Sequence, residues 1–213
     1  MSESIGIWPA LTLVALFFLL VAECRQSKAG KWLFKPAASA GFVLLALSAG
    51  ALQSTYGIVI LVGLILSMVG DVLLIPHRRG AFLTGLTAFL LGHVAYAAAF
   101  GLHGVDPVIT AIAAVLLVVA GLFLARRFLP RIESGMRGPV VAYGLVISLM
   151  LALAMGVAGA GGTWLIAIGA TLFYLSDLSV ARDRLIEPSF MQRAWGLPAY
   201  FVGQLMLAAS VMY

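Results

Sequence analysis

Apolar residues in this chain fall into eight long runs, separated by short polar, basic or glycine-rich segments. A membrane-spanning α-helix needs about 20 consecutive, mostly apolar residues, and each run approaches that length. The predicted helices cover residues 5–22, 36–52, 56–75, 81–101, 105–125, 139–157, 163–181 and 194–213. The pattern therefore predicts an all-α, polytopic membrane protein in which residues 1–213 form a single integral membrane domain with eight transmembrane helices.

The first two runs carry further signals at their ends. Run 5–22 resembles a secretory signal, but no basic residue precedes it, and Glu23 stands where a lipoprotein cleavage site needs a small residue. We therefore expect a retained helix. The second run begins at Lys35-Pro36, a cation able to extend toward the head groups followed by a proline suited to a first helical turn.

The distribution of charge predicts the orientation of these helices. The chain is 63% hydrophobic and 10% charged, whereas a soluble domain carries about 25% charged residues. All 13 Lys and Arg residues fall in segments on one side of the predicted membrane domain. Since cytoplasmic loops are enriched in Lys and Arg, we expect cytoplasmic basic loops, both termini outside, and a bacterial inner membrane location. Short basic loops of this kind meet lipid head groups, so nucleic acid is not an expected partner.

Two aspartates interrupt the apolar runs. An Asp at the centre of a membrane helix costs roughly 2.5–3.5 kcal/mol, less near an end. Asp71 precedes Arg78 by seven residues, which places it roughly 10 Å from the cytoplasmic loop. Asp177 precedes Arg182 by five residues. Both carboxylates are therefore expected in the cytoplasmic half, where neighbouring helices would let them share a cavity.

Other polar residues accompany the aspartates at the same end or deeper. The candidates for substrate binding or for support of the aspartates are Glu23, Lys35, His93, Tyr96, Ser176, Tyr200 and Gln204. For each there is a plainer interpretation as a helix-packing hydrogen bond, a helix-end residue or a structural ion pair. Unpaired membrane carboxylates more often face a pathway or a site than serve packing alone.

A faint internal repeat relates the two aspartate helices. Residues 66–71 resemble residues 173–177, and each segment precedes a basic loop and a helix with buried polar groups. The two aspartate helices would run in the same direction. The pattern indicates two four-helix halves related by an axis along the membrane normal.

Several chemistries have no support in the sequence. It contains no G-x-S-x-G motif and no spaced histidine ligands for a metal. The single cysteine, Cys24, allows neither an intrachain disulfide nor a cysteine metal site, and no cofactor is implied. Acid–base chemistry by two carboxylates remains, beside two alternatives: a small proton- or ion-coupled carrier and a structural, lipid-binding membrane protein.

A set of short motifs resembles the YhhN-type lysoplasmalogenases, a family of eight-helix membrane proteins. In chain order the motifs are Lys35-Pro36, Gly70-Asp71-Val72-Leu73-Leu74, Phe89-x-x-x-His93-x-x-Tyr96, Ser176-Asp177 and Tyr200-x-x-x-Gln204. Each motif alone is weak, but the ordered set covers nearly the whole chain.

The resemblance implies hydrolysis of the vinyl-ether bond of a lysophospholipid, the lysoplasmalogen, with Asp71 and Asp177 carrying the activity. The products would be a fatty aldehyde and a glycerophospho head group. Many bacteria lack plasmalogens, so another lysolipid or ether also fits. Such chemistry suits one protonated and one ionised carboxyl group. We expect Asp71 as the acid and Asp177 as the base, although the reverse order is open. His93 and Tyr96 would orient a carboxylate or relay protons, and Lys35 or a rim arginine would hold the phosphate.

Overall fold

The computed structural model describes residues 2–76 and 78–213, with side chains described from Gly6 onward. Met1 and His77, the latter within the predicted turn 76–80, lie outside the described residues. Eight α-helices follow one another: α1 (Ser2–Cys24), α2 (Lys28–Ser48), α3 (Thr55–Leu73), α4 (Arg79–His103), α5 (Pro107–Phe128), α6 (Ser134–Gly159), α7 (Trp164–Leu185) and α8 (Phe190–Ala209). The described part of the chain has no strand. The predicted all-α fold with eight helices is confirmed.

Short polar side chains fix where several helices begin. Ser27 accepts a hydrogen bond from the Gly30 N–H at the start of α2, and Ser54 accepts one from the Gly57 N–H at the start of α3. Asp106 caps α5 through the Ile109 N–H. Serine and aspartate at this position satisfy backbone donors that the first turn leaves unpaired.

Helix α2 begins eight residues before its predicted start, which corrects the sequence-based boundary. Pro36 lies inside the helix and not in its first turn. Lys28, Lys31 and Lys35 interrupt the stretch before Pro36, so a search for long apolar runs passes over it. Lys35 therefore projects from within a helix, which lets it reach a partner on a neighbouring helix.

Seven of the described helices are long and apolar enough to cross a membrane by length and composition, and α2 is not among them. Its three lysines lower its mean hydropathy. The outer surface of the bundle is apolar as well. Helix α5 buries none of its residues and exposes Val115, Leu116 and Phe123 by more than 60% each. An exposed apolar surface of this extent is what a lipid-embedded protein presents.

The helices pack in consecutive pairs that repeat in the two halves of the chain. Helices α1 and α2, α3 and α4, and α2 and α3 are neighbours, and so are their counterparts α5 and α6, α7 and α8, and α6 and α7. Between the halves, α2 meets α8 and α4 meets α6, which are again equivalent contacts. The predicted parallel halves would produce this correspondence. Helix α1 also packs on α8, whereas α5 packs mainly on α6.

Close helix approach depends on glycines at two crossings. A Cβ on Gly70 of α3 would lie 2.6 Å from the Phe89 ring of α4. A Cβ on Gly169 of α7 would lie 2.9 Å from the Gly203 carbonyl oxygen of α8. Small residues allow such approach in membrane helices. Gly70 therefore brings α4 against the turn that carries Asp71.

Candidate active site

A cavity of about 180 Å³ opens where the C-terminal ends of α1, α3 and α7 meet the N-terminal parts of α2, α4 and α8. Seven helices contribute lining residues, and α5 contributes none. Asp71 and Asp177 both line this cavity. The two carboxylates therefore share a cavity as expected, although α3 and α7 do not pack closely against each other, which was the premise of that expectation.

Asp71 is held by donors from α2 and α8. Its Oδ2 accepts hydrogen bonds of 2.6 Å from the Ser39 hydroxyl and 2.6 Å from the Tyr200 hydroxyl. Its Oδ1 lies 3.1 Å from Lys35 Nζ, and the two side chains are only 3% and 12% exposed. Lys35 has donors and no acceptor. A protonated Asp71 would leave this buried cation without a counterion, so the contacts favour the ionised carboxylate.

Asp177 has a different environment, formed by α4 and α6. Its Oδ2 accepts a hydrogen bond of 3.2 Å from the Tyr143 hydroxyl. The same oxygen lies 3.1 Å from His93 Nε2, close enough for an ion pair, although the two atoms are not aligned for a hydrogen bond. His93 is fully buried and its Nδ1 lies 2.7 Å from the Phe89 carbonyl oxygen.

The Phe89 contact determines how protons are arranged on His93. A carbonyl oxygen only accepts, so Nδ1 carries a hydrogen. In the neutral ring Nε2 is then an acceptor and faces the carboxyl group of Asp177. A proton on either group would face the other across 3.1 Å. Asp71 and Asp177 thus differ, because Lys35 neutralises Asp71, whereas His93, which can carry a proton, contacts Asp177.

The two carboxylates receive their partners from helices at matching places in the chain order. Asp71 on α3 receives partners from α2 and α8, and Asp177 on α7 receives partners from α6 and α4. These helices are equivalent between the halves. The Phe173 ring lies between the two groups, with its centroid 4.3 Å from His93 and 5.3 Å from Tyr200. Each half of the chain therefore supplies one carboxylate and supports the other.

The remaining sequence candidates divide between the cavity and the protein interior. Glu23 and Ser176 line the cavity, and the Ser176 hydroxyl donates to the Phe173 carbonyl oxygen at 2.7 Å. Tyr96 and Gln204 do not line it. They are fully buried and form their own hydrogen bond of 2.7 Å from the Tyr96 hydroxyl to Gln204 Oε1. The described contacts thus give Tyr96 no partner among the aspartates.

Charged side chains at the mouth of the cavity form a network. Glu23 Oε2 lies 2.7 Å from Lys31 Nζ and 3.2 Å from Arg193 Nε. Arg193 also contacts Asp183 at 3.2 Å. These pairs join the ends of α1, α2, α7 and α8. Arg184 lines the cavity beside them and donates to the Leu74 carbonyl oxygen at 2.6 Å.

Ser39 and Tyr143 contact the two aspartates but were not among the candidates predicted from the sequence. Serine and tyrosine are common in membrane helices, so neither residue stands out by type. Position carried a usable signal. Ser39 follows Lys35 by one helical turn and therefore lies on the same face of α2. Tyr143 lies one turn after Pro139, a proline inside α6. Among the described residues, no group of three or more His, Cys, Asp or Glu is arranged to hold a metal ion.

The chain is similar to known proteins over most of its length. The model of the YhhN family matches residues 30–211. Lysoplasmalogenase TMEM86A of Bos taurus is 31% identical over 187 residues, which make up 85% of this chain and 73% of that protein. The Homo sapiens protein of the same name is 33% identical over the same shares. Lysoplasmalogenase TMEM86B of Mus musculus is 34% identical over 70% of this chain and 61% of its own length. No solved structure matches the chain significantly.

Proposed function

Because the chain belongs to the YhhN family, we propose that it is a membrane hydrolase that cleaves the vinyl-ether bond of lysoplasmalogens. The products are a fatty aldehyde and a glycerophospho head group. Relatives at 31–34% identity bear the name lysoplasmalogenase. The observation that carries the proposal is that two carboxylates with different surroundings line one cavity, as acid and base chemistry on a single bond requires.

The reaction consumes one water molecule. A proton adds to the alkene carbon that does not carry oxygen, and the ether oxygen shares the resulting positive charge as an oxocarbenium ion. Water adds to the oxygen-bearing carbon and loses a proton, which gives a hemiacetal. The hemiacetal then breaks its bond to the glycerol oxygen, which takes up a proton, and releases the aldehyde.

Asp177 and His93 supply the first proton in this proposal. His93 Nε2 lies 3.1 Å from Asp177 Oδ2, so a proton on either group is available beside the cavity. The Tyr143 hydroxyl holds the Asp177 carboxyl group in place. Since Nδ1 of His93 is occupied by the Phe89 carbonyl oxygen, only Nε2 exchanges a proton with Asp177.

Asp71 acts as the ionised partner, which reverses the order expected from the sequence. Depth alone favoured Asp71 as the acid, but Lys35, Ser39 and Tyr200 all stabilise its negative charge. A fixed carboxylate stabilises the oxocarbenium ion and accepts the proton of the attacking water. The donor contacts cost no rearrangement during the reaction because they are already formed.

The proposal includes a membrane arrangement. All eight helices span the membrane as one domain, both termini lie outside, and the basic loops face the cytoplasm of a bacterial inner membrane. The charged mouth of the cavity lies at the end that carries Lys31, Arg184 and Arg193, so a lysolipid enters from the cytoplasmic leaflet. Reporter fusions at Ser2 and at Tyr213 test this orientation, and a cytoplasmic signal at either one contradicts it.

Product analysis by mass spectrometry tests the proposed function. Purified protein in nanodiscs is incubated with lysolipids of one chain length that carry a vinyl-ether, a saturated ether or an ester at the same position. We expect aldehyde only from the vinyl ether. Fatty acid release from the ester without aldehyde would overturn the assignment. Passage of an intact lysolipid across sealed vesicles without cleavage would support the carrier alternative instead.

A further inference from the structure

Arg184 differs from every other charged residue of the cavity. Lys35 lies against Asp71, Lys31 against Glu23, and Asp177 against His93. Arg193 pairs with both Glu23 and Asp183. Among the described residues that line the cavity, Arg184 alone has no oppositely charged or imidazole partner within 4.0 Å. Arg184 therefore makes no direct ion pair within the described residues.

The guanidinium of Arg184 is oriented but not saturated. One N–H of Nη2 donates to the Leu74 carbonyl oxygen at 2.6 Å, just beyond the end of α3. A guanidinium has five N–H donors, and the contacts within the described chain account for this single one. Arg184 is partly buried. A partly buried cation with free donors facing a cavity is an anion site, and the planar donors of arginine suit phosphate oxygens.

We propose that Arg184 binds the phosphate group of the lysophospholipid substrate. Asp177 and Arg184 lie on the same helix seven residues apart, which corresponds to a rise of about 10 Å. The glycerol backbone of the lipid together with the arginine side chain spans this separation. Lys35, the other candidate from the sequence, is committed to Asp71. The assignment rests on the proposed function for the identity of the lipid, but it concerns binding and not cleavage.

Binding of an uncleavable ligand tests the assignment separately from the reaction. A radiolabelled saturated 1-O-alkyl lysophosphocholine is titrated against purified protein in nanodiscs, beside a 1-O-alkylglycerol of the same chain length that lacks the phosphate. We expect Arg184→Gln to raise the Kd of the phosphate-bearing ligand about 10- to 100-fold, the range for a hydrogen bond to a charged group. The Kd of the alkylglycerol should stay within about threefold.

Arg182→Gln is the matched control. Arg182 lies on the same helix, is exposed and does not line the cavity, so its variant removes the same charge from the same protein end. The assignment predicts that it leaves both Kd values within about threefold. Equal loss of phosphate-ligand binding in both variants would overturn the proposal, because a general surface charge would then suffice. An equal loss for both ligands in Arg184→Gln would also overturn it.

Two further measurements control for the loss of the Leu74 contact and for the source of the phosphate. Since Arg184→Gln also removes the bond to Leu74, Arg184→Lys is measured beside it and should recover most of the affinity through its charge. A lysine variant as weak as the glutamine variant would overturn the assignment, because a positive charge at this position would then not restore binding. Inorganic phosphate should bind far more weakly than the lysolipid. Arg184-dependent binding of inorganic phosphate at the affinity of the lysolipid would overturn the head-group assignment.

Absence of vinyl-ether cleavage in the wild type would refute the proposed function and leave these binding results interpretable.

Discussion

Lys35 neutralises Asp71, so replacing it with methionine should leave a buried carboxylate without a counterion. Lys35 Nζ lies 3.1 Å from Asp71 Oδ1, and the side chains are 12% and 3% exposed. Two unit charges at this distance attract each other by about 5 kcal/mol at an effective dielectric constant of 20. Removing one member of a buried pair typically costs about 3–5 kcal/mol. We expect Lys35→Met to lower the free energy of unfolding by about that amount.

A double-mutant cycle separates the pair from the individual residues. The free energy of unfolding is measured by SDS titration in mixed micelles for Lys35→Met, Asp71→Asn and the double variant. Because the double variant contains no unpaired charge, it should be more stable than the sum of the single changes predicts, by at least about 1 kcal/mol. Lys28→Met is the control, since Lys28 is exposed in the first turn of α2; its effect should stay below about 0.5 kcal/mol.

Activity provides a second reading of the same variants. Aldehyde release should fall at least about 100-fold in Lys35→Met, because Asp71 would no longer be held as a carboxylate that stabilises the oxocarbenium ion. The double variant should be equally inactive although it regains stability. A destabilisation below about 1 kcal/mol for Lys35→Met, or strict additivity in the cycle, would refute the reasoning.

Two further variants probe the walls of the cavity. Tyr200→Phe removes a 2.6 Å hydrogen bond to Asp71 and should lower kcat by about 10- to 100-fold. Tyr96→Phe should instead lower the free energy of unfolding by about 1 kcal/mol and change kcat less than threefold. Equal losses of kcat for the two variants in steady-state assays would contradict this prediction. Gly144 lines the cavity, and a Cβ there would meet no atom within 4 Å. Gly144→Leu should therefore reduce kcat/KM for long alkyl chains more than for short ones, as measured with a series of chain lengths. Gly121→Leu is the control, because Gly121 is equally uncrowded but lies outside the cavity, and it should leave kcat/KM unchanged for both chain lengths.

The sequence predicted the parts of this fold that depend on apolar length. Eight runs became eight helices because a helix in lipid must be apolar over most of its length. The start of α2 was predicted too late because three lysines interrupt the stretch from residue 28 to residue 35. Capping by Ser27 was the signal that a search for apolar residues does not use.

Asp71 and Asp177 were found because carboxylates are costly in a membrane. Their partners were harder to predict, since spacing along one helix does not tell which neighbouring helix that face meets. Tyr96 and Gln204 share a pattern with the site residues, yet they pair with each other in the interior. Ser39, close to Lys35 in sequence, completes the environment of Asp71.

The roles of charged residues depended on pairing, which only the structure provides. In the sequence the arginines at the basic end predicted the orientation, and no feature told which rim arginine would hold the phosphate. In the structure Arg193 is neutralised by Glu23 and Asp183, while Arg184 is not neutralised by any described residue. The order of acid and base likewise follows from the partners of the two carboxylates and not from their depth.

The most direct test of the two-aspartate mechanism is aldehyde release from a vinyl-ether lysolipid by the wild type, Asp71→Asn and Asp177→Asn, each purified and shown to be folded by its melting curve. Asparagine keeps the shape of each side chain and removes its capacity to hold or accept the proton. We predict aldehyde from the wild type and at least about a 1000-fold lower rate from each variant, a loss of roughly 4 kcal/mol in transition-state stabilisation. Aldehyde release within tenfold of the wild-type rate by either folded variant would contradict the mechanism.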